Sequence, residues 1–162
     1  MRKNLEKTEA FIMDHEGAKI TNIKGDKGGL TAAYGLTLKT MITLKIDLDN
    51  DGDVDEQDVE LVNKETIDAA FRRYFWDAID GDNLPAGIDL ILADVAWNSG
   101  VGKAKQFIRE GYAKDIYELT ERRKRFYQWQ AVNVSGQDKF IKGWLRRAND
   151  ALKEAEQIRG IK

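Results

Sequence analysis

The chain contains no cysteine, a single proline and a single histidine in 162 residues. Without cysteine there is no disulfide framework, no thiolate metal site and no thiol nucleophile, so folding requires no oxidising compartment. One histidine rules out a multi-histidine metal centre. No apolar run is long enough to cross a bilayer, so membrane insertion is not expected. The opening residues, Met1-Arg2-Lys3-Asn4-Leu5-Glu6-Lys7, pass straight into an amphipathic pattern without the apolar core of a signal peptide. If the substrate lies outside the cytoplasm, the protein is expected to be made in the cytoplasm and to act after release by another agent. The near-absence of proline, with abundant Ala, Leu, Glu, Lys and Arg, favours helix over sheet.

Hydrophobic residues make up 42% of the chain and charged residues 33%, enough for a sizeable core under a polar surface. The length is that of one domain, and monomer is the default expectation. The formal net charge of −2 conceals an asymmetry. Eight acids and no base lie between Asp47 and Glu60, so the remainder of the chain is net basic. Much of that excess follows Lys103, in Arg122-Arg123-Lys124-Arg125 and Arg146-Arg147, a surface suited either to an anionic polymer or simply to solvent. No helix-turn-helix, zinc or RNA-binding signature accompanies it, so nucleic acid is not an expected partner.

Periodicity predicts a helix over residues 4–16, stopped by Gly17. The β-rich runs around Gly25-Asp26-Lys27-Gly28-Gly29, from Lys19 to Gly35, suggest a small hairpin or three-stranded sheet. Further helices are expected over 64–78, 85–97 with Pro85 at its first position, 102–110, 115–132 and 137–157. Residues Ile88–Trp97 are apolar nearly all round and should lie at the core centre. The fold class is mostly α, within an α+β plan: a helical lobe and a small N-terminal β element. Residues 1–46 carry the first helix and the β element, 47–58 an acidic loop and 59–162 the helical lobe.

The acidic loop, Asp47-Leu48-Asp49-Asn50-Asp51-Gly52-Asp53-Val54-Asp55-Glu56-Gln57-Asp58, fits the EF-hand ligand pattern, with Gly52 at the sixth position, where the chain turns sharply. Carboxylates crowded at this spacing repel one another unless a hard cation sits among them. Asp47, Asp49, Asp51, Asp53, Asp55 and Asp58 are therefore candidate ligands for a structural Ca2+. Asp58 stands at the twelfth position, where the longer Glu is usual, which shortens the bidentate arm. The loop is single and no full helix precedes it, which favours bracing over signalling; the alternative is an acidic surface turn with no bound ion.

The order of helix, Glu16-Gly17, a turn bearing Asp26, and then Thr31 has a chemical logic. Glycoside hydrolysis needs an acid to protonate the leaving oxygen and a second group on the opposite face of the sugar. Glu16 ends a helix, beside the negative end of its dipole, whereas Asp26 lies in a polar turn. Two carboxyls in different surroundings can divide those roles. A Glu beside a Gly at a helix end can equally be a solvated terminus.

Glu16-Gly17, Asp26-x-Gly28-Gly29-x-Thr31 and Gly35-Leu36-Thr37 together resemble the N-terminal signature of glycoside hydrolase family 108. These are N-acetylmuramidases found as phage endolysins and in bacterial proteins once labelled secretion activators. Trp97-Asn98-Ser99-Gly100 is similar to the family's Asn-Ser-Gly stretch. Arg125-Phe126-Tyr127 and Phe140-x-x-Gly143-Trp144-x-x-Arg147 resemble its C-terminal, peptidoglycan-binding half. The resemblance implies a lysozyme-like fold and hydrolysis of the β-1,4 bond between N-acetylmuramic acid and N-acetylglucosamine in bacterial peptidoglycan. It implies Glu16 as general acid, Asp26 and Thr31 as the residues that place water and shape the sugar-side wall, and no cofactor for catalysis. Ala18 departs from the family's second glycine, and the calcium loop looks like an insertion. A phage enzyme of this kind would depend on a holin for release.

Tyr34 and Asn98 are candidate sugar contacts, each with a structural alternative in the core or at a helix end. Phe126, Tyr127, Trp129, Phe140 and Trp144 recur at helical spacing and are expected in the core. One of Arg146 and Arg147 is expected to pair with a neighbouring acid. His15 is expected to pack or cap. The alternative to an enzyme is a non-catalytic, calcium-dependent wall-binding module on the same fold.

Overall fold

The computed structural model describes residues 2–16 and 35–161. The regular elements among these residues are helices, with no strand among them. The expected β element over residues 19–35 lies, but for Gly35, outside the described residues. No described helix is long and apolar enough to cross a membrane. Helix α1 spans Arg2–Glu16, two residues longer at its start than the periodicity predicts. The chain divides into two compact units, one of Met1–Phe11 with Phe75–Lys162, the other Ile12–Tyr74.

The unit Ile12–Tyr74 carries three short helices, α2 (Leu38–Leu44), α3 (Glu56–Leu61) and α4 (Lys64–Ala70). Each is fixed by its caps rather than by length, because helices this short do not persist alone. The Thr37 hydroxyl accepts the Thr40 N–H at 3.1 Å and Lys45 ends α2 with a left-handed backbone, φ 55°. Asn63 and Thr66 form a reciprocal capping box on α4. Ile12, Leu36, Met41, Ile46, Val59, Val62, Ile67 and Phe71 are buried in this unit. Periodicity does not reveal α2: Thr40, Ile42 and Thr43 are β-branched and lower its intrinsic helicity. The Thr37 cap and the burial of Met41 favour it instead.

The helix expected over 64–78 changes its winding. After α4, Phe71–Trp76 forms a π-helical turn and Asp77–Ile79 a 3-10 turn. Asp80, with φ 58°, then turns the chain.

In the other unit α5 (Ile88–Ser99), α6 (Val101–Arg109), α7 (Ile116–Asn133) and α8 (Ile141–Ile158) pack with α5 in the middle. Every residue from Ile88 to Ala96 is buried, as the all-round apolar pattern predicts. Pro85 is not the first residue of α5. Its carbonyl accepts the N–H groups of Ile88 and Asp89, and the helix starts after Gly87, whose φ of 83° a side chain would resist. Asp89 secures this start: its carboxylate accepts from the Gly87 and Leu90 N–H groups and from Asn4 of α1 at 2.9 Å. Helix α8 is strongly amphipathic, and its buried stripe is Ala148, Ala151 and Ala155, small side chains that allow close approach to α5. Helix α7 begins at an Asp115 cap, which accepts from Tyr117 and Glu118 at 2.9 Å each.

Candidate active site

Within Ile12–Tyr74, Glu16 is the last residue of α1 and is half-buried. Ile12, one turn earlier on the same helical face, is fully buried, so the face that carries Glu16 is anchored. The Glu16 carboxyl lies against Gly35. A Cβ on Gly35 would sit 2.5 Å from Glu16 Oε2, and Gly35 has φ +81°. Only glycine leaves the carboxyl where it is. His15 is exposed rather than packed and sits in the last turn of α1, where a cation would complement the helix dipole. Asp26, Thr31 and Tyr34 lie outside the described residues.

The acidic loop ends in α3. Asp58 is buried; its Oδ1 accepts from the Leu48 and Asp49 N–H groups and its Oδ2 from Asp55 at 2.8 Å. Burial pushes this carboxyl up, but the three backbone donors outweigh it and hold Asp58 below the usual carboxylate range. Asp47 accepts from Asn50 at 2.6 Å and Gly52 at 3.1 Å. Asn50 and Gly52 both have positive φ, 61° and 101°, and so fold the loop back on itself. Carboxylate oxygens of Asp47, Asp49 and Asp58 lie within 4.8 Å of one another, as do those of Asp53, Asp55 and Asp58. The Asp51 charge raises the Asp53 carboxyl; desolvation, then its acidic neighbours, raise Asp49. A hard cation would relieve that repulsion, and all six candidate ligands lie in this one loop.

In the helical unit, Asn98 closes α5 and is exposed. Its side-chain amide donates to the Asp94 carbonyl at 2.8 Å and to Asp94 Oδ1 at 3.1 Å. With two acceptors fixing the NH2 group, Asn98 Oδ1 is the atom left to accept a hydrogen bond. Asp94 is fully buried and held by two guanidiniums: Arg123 Nη2 at 2.5 Å and Arg147 Nη2 at 2.7 Å. Arg123 Nε also donates to the Tyr127 hydroxyl at 2.9 Å. Burial alone would raise the Asp94 carboxyl, but Arg123 and Arg147 prevail and hold it below the usual range. Arg147 is thus the arginine of the pair that meets an acid, one 53 positions away. Periodicity marks Asp94 only as an acid on an apolar helix, a signal that such a residue needs a buried cation.

Asn98 borders a pocket of about 410 Å3, together with Ser99, Phe126, Tyr127, Trp129, Gln130, Val134 and Trp144. The aromatics expected in the core divide here. Tyr127 is buried, whereas Trp129 is 58% exposed and Phe140 45%. The helical spacing is real, but Trp129 falls on the solvent side of α7, while Tyr127, Trp144 and Phe140 join in tilted ring contacts. Indole faces beside amide side chains suit the apolar faces and acetamido groups of sugars.

The described fold is similar to a solved structure described as Brucella abortus SagA, with a TM-score of 0.80 and 22% identity, covering 98% of this chain and 97% of that one. No curated protein matches. The family model described as Glycosyl hydrolase 108 matches residues 9–100. That match runs over more than half of the chain and takes in Glu16, Gly35, the acidic loop and Asn98; the chain belongs to the glycosyl hydrolase 108 family, a family of lysozyme-like peptidoglycan hydrolases.

Proposed function

We propose that the protein is an N-acetylmuramidase of the phage-endolysin kind. It cleaves the β-1,4 bond between N-acetylmuramic acid and N-acetylglucosamine, with Glu16 as general acid. The observation that carries this reading is the Glu16 carboxyl at the end of α1, given its room by a glycine at position 35, within the region matched by the family. Glu16 protonates the glycosidic oxygen as the bond breaks and positive charge builds on the sugar ring. Asp26 and Thr31 place the attacking water and line the sugar on the other face. Tyr34 contacts the glycan, and Asn98 Oδ1 accepts the N–H of an acetamido group. The chemistry needs no cofactor. A Ca2+ held by Asp47, Asp49, Asp51, Asp53, Asp55 and Asp58 braces the loop that leads into α3.

The test is mass spectrometry of fragments released from purified peptidoglycan. Wild type should release fragments with muramic-acid reducing ends, and Glu16→Gln should lose about 10²–10⁴-fold in rate. Release by Glu16→Gln at the wild-type rate would remove Glu16 from the mechanism. N-acetylglucosamine reducing ends, or none, would refute the bond assignment.

A further inference from the structure

Beside the Asn98 pocket, and sharing Phe126 and Trp129 with it, lies a second cavity of about 350 Å3 lined also by Lys103, Gln106, Arg122 and Arg125. Three cations line one small cavity, and among the described residues a single acid is bound to any of them. That acid, Glu110, accepts from Arg122 Nε at 2.8 Å and from Gln106 Nε2 at 2.7 Å. The Arg122 hydrogen bond, then that of Gln106, holds it below the usual carboxylate range. Lys103 has a neutral partner, Gln106 Oε1 at 2.8 Å, and its ammonium stands 4.3 Å from the centre of the Phe126 ring. Arg125 is exposed, with no ion pair among the described residues. The cavity therefore carries an excess positive charge on Lys103 and Arg125, and Phe126 and Trp129 line both it and the aromatic pocket.

We infer that this cavity binds the carboxylates of the peptide stems on peptidoglycan, while the glycan lies along Trp129 and the Asn98 pocket. A guanidinium takes a carboxylate through two parallel hydrogen bonds and an ammonium takes it as a point charge. A ring wall suits the methyl and methylene groups between successive stem carboxylates. Nucleic-acid phosphates would meet the same charge, but a small cavity lined by two aromatic rings, Phe126 and Trp129, suits short acidic side groups better than a continuous backbone. The inference rests on peptidoglycan being the substrate, and it adds that stemmed glycan is preferred to bare glycan.

The probes are a disaccharide-tetrapeptide released from purified peptidoglycan and the same disaccharide freed of its stem by an amidase, titrated calorimetrically into the full chain. Wild type is expected to bind the stemmed fragment roughly tenfold more tightly, with the difference shrinking as salt rises. In Lys103→Ala/Arg125→Ala the two fragments should bind alike. Arg125→Glu should make the stem unfavourable, a sign reversal that loss of fold cannot produce, and melting curves accompany each variant. Equal affinity of wild type for the two fragments overturns the inference, whether or not wild type cleaves peptidoglycan. So does a preference that survives both variants, or displacement of the stemmed fragment by an equal concentration of single-stranded oligonucleotide. Stem-dependent binding without hydrolysis would instead remove the muramidase reading and leave this one standing.

Discussion

Glu16 and Gly35 are neighbours at a distance that forbids a methyl group: a Cβ at position 35 would stand 2.5 Å from Glu16 Oε2 and 3.2 Å from its Cδ. The obstructed atoms are the far end of a flexible side chain, so Gly35→Ala is expected to fold by turning the carboxyl aside. The left-handed backbone adds a strain of about 1–2 kcal/mol. Turnover should fall by about a hundredfold, the scale of a 1 Å displacement of a catalytic group, with KM little changed. Kinetics on a soluble glycan alongside a melting curve would check this. Full activity in a folded Gly35→Ala protein would mean that Gly35 does not set the position of the acid.

Asn98 and Asp94 separate recognition from stability. Asn98 is exposed, so Asn98→Ala should leave stability within about 1 kcal/mol of wild type while weakening glycan binding. Asp94→Ala strands Arg123, whose side chain is 1% exposed, and should cost about 3–5 kcal/mol. Urea unfolding with a glycan titration distinguishes the two. A large stability loss in Asn98→Ala, or a small one in Asp94→Ala, would contradict this division.

The same buried acid gives a sign to the pH dependence. The folded-state carboxyl of Asp94 is held below its ordinary value, so its contribution is complete above the unfolded pKa of about 3.9. It is lost as pH falls through the lower folded value. Urea midpoints of wild type should therefore drop below about pH 4. In Arg147→Ala, which removes one of the two cations, the folded-state carboxyl moves back toward its ordinary value, so the whole curve should lie lower and the acid-induced loss should be smaller. A loss of wild-type size would show that Arg147 does not set the titration.

These variants also show what a sequence reveals. The apolar run Ile88–Ala96 is a local pattern, and the structure buries all of it; so is the helix expected over 115–132, which the structure starts after an Asp115 cap. The Asp94–Arg147 pairing joins residues 53 positions apart, and nothing local marks it. Trp129 illustrates a different limit: helical spacing puts it in the core, but it is exposed, because which side of α7 faces solvent depends on where α6 and α8 pack. Glu16 was legible as an acid at a helix end, whereas the approach of Gly35 is tertiary. The roles of Asp26 and Thr31 rest on the family pattern, and Tyr34 on its place beside the expected hairpin.

For the acidic loop, a cation that binds only the folded chain stabilises it by about 2.7 kcal/mol at one hundred times its Kd. Calcium should raise the Tm of wild type and EDTA should lower it. Asp47→Asn/Asp49→Asn removes two charges from one of the carboxylate groupings and leaves Asp58, with its backbone hydrogen bonds, in place. That variant should lose the calcium-dependent shift and still fold. A shift of wild-type size in the double variant would place the ion elsewhere, and no shift in wild type at saturating calcium would exclude a folded-state site.

Two glycines test packing in opposite directions. A Cβ on Gly81 would meet Cδ2 and Cε2 of Trp76 at 2.5 Å. That indole cannot yield easily, being fully buried and donating from Nε1 to Asp82 at 3.1 Å. Gly81→Ala should destabilise by about 1–3 kcal/mol and disturb the Trp76 fluorescence. Gly143, by contrast, lies in α8 with nothing within 4 Å of its absent Cβ. There an alanine should stabilise the helix by up to about 1 kcal/mol. Urea midpoints check both signs. If Gly143→Ala stabilises the fold but weakens binding to peptidoglycan, the open space at this glycine is occupied by the ligand; if binding is unchanged, the glycine is dispensable to both.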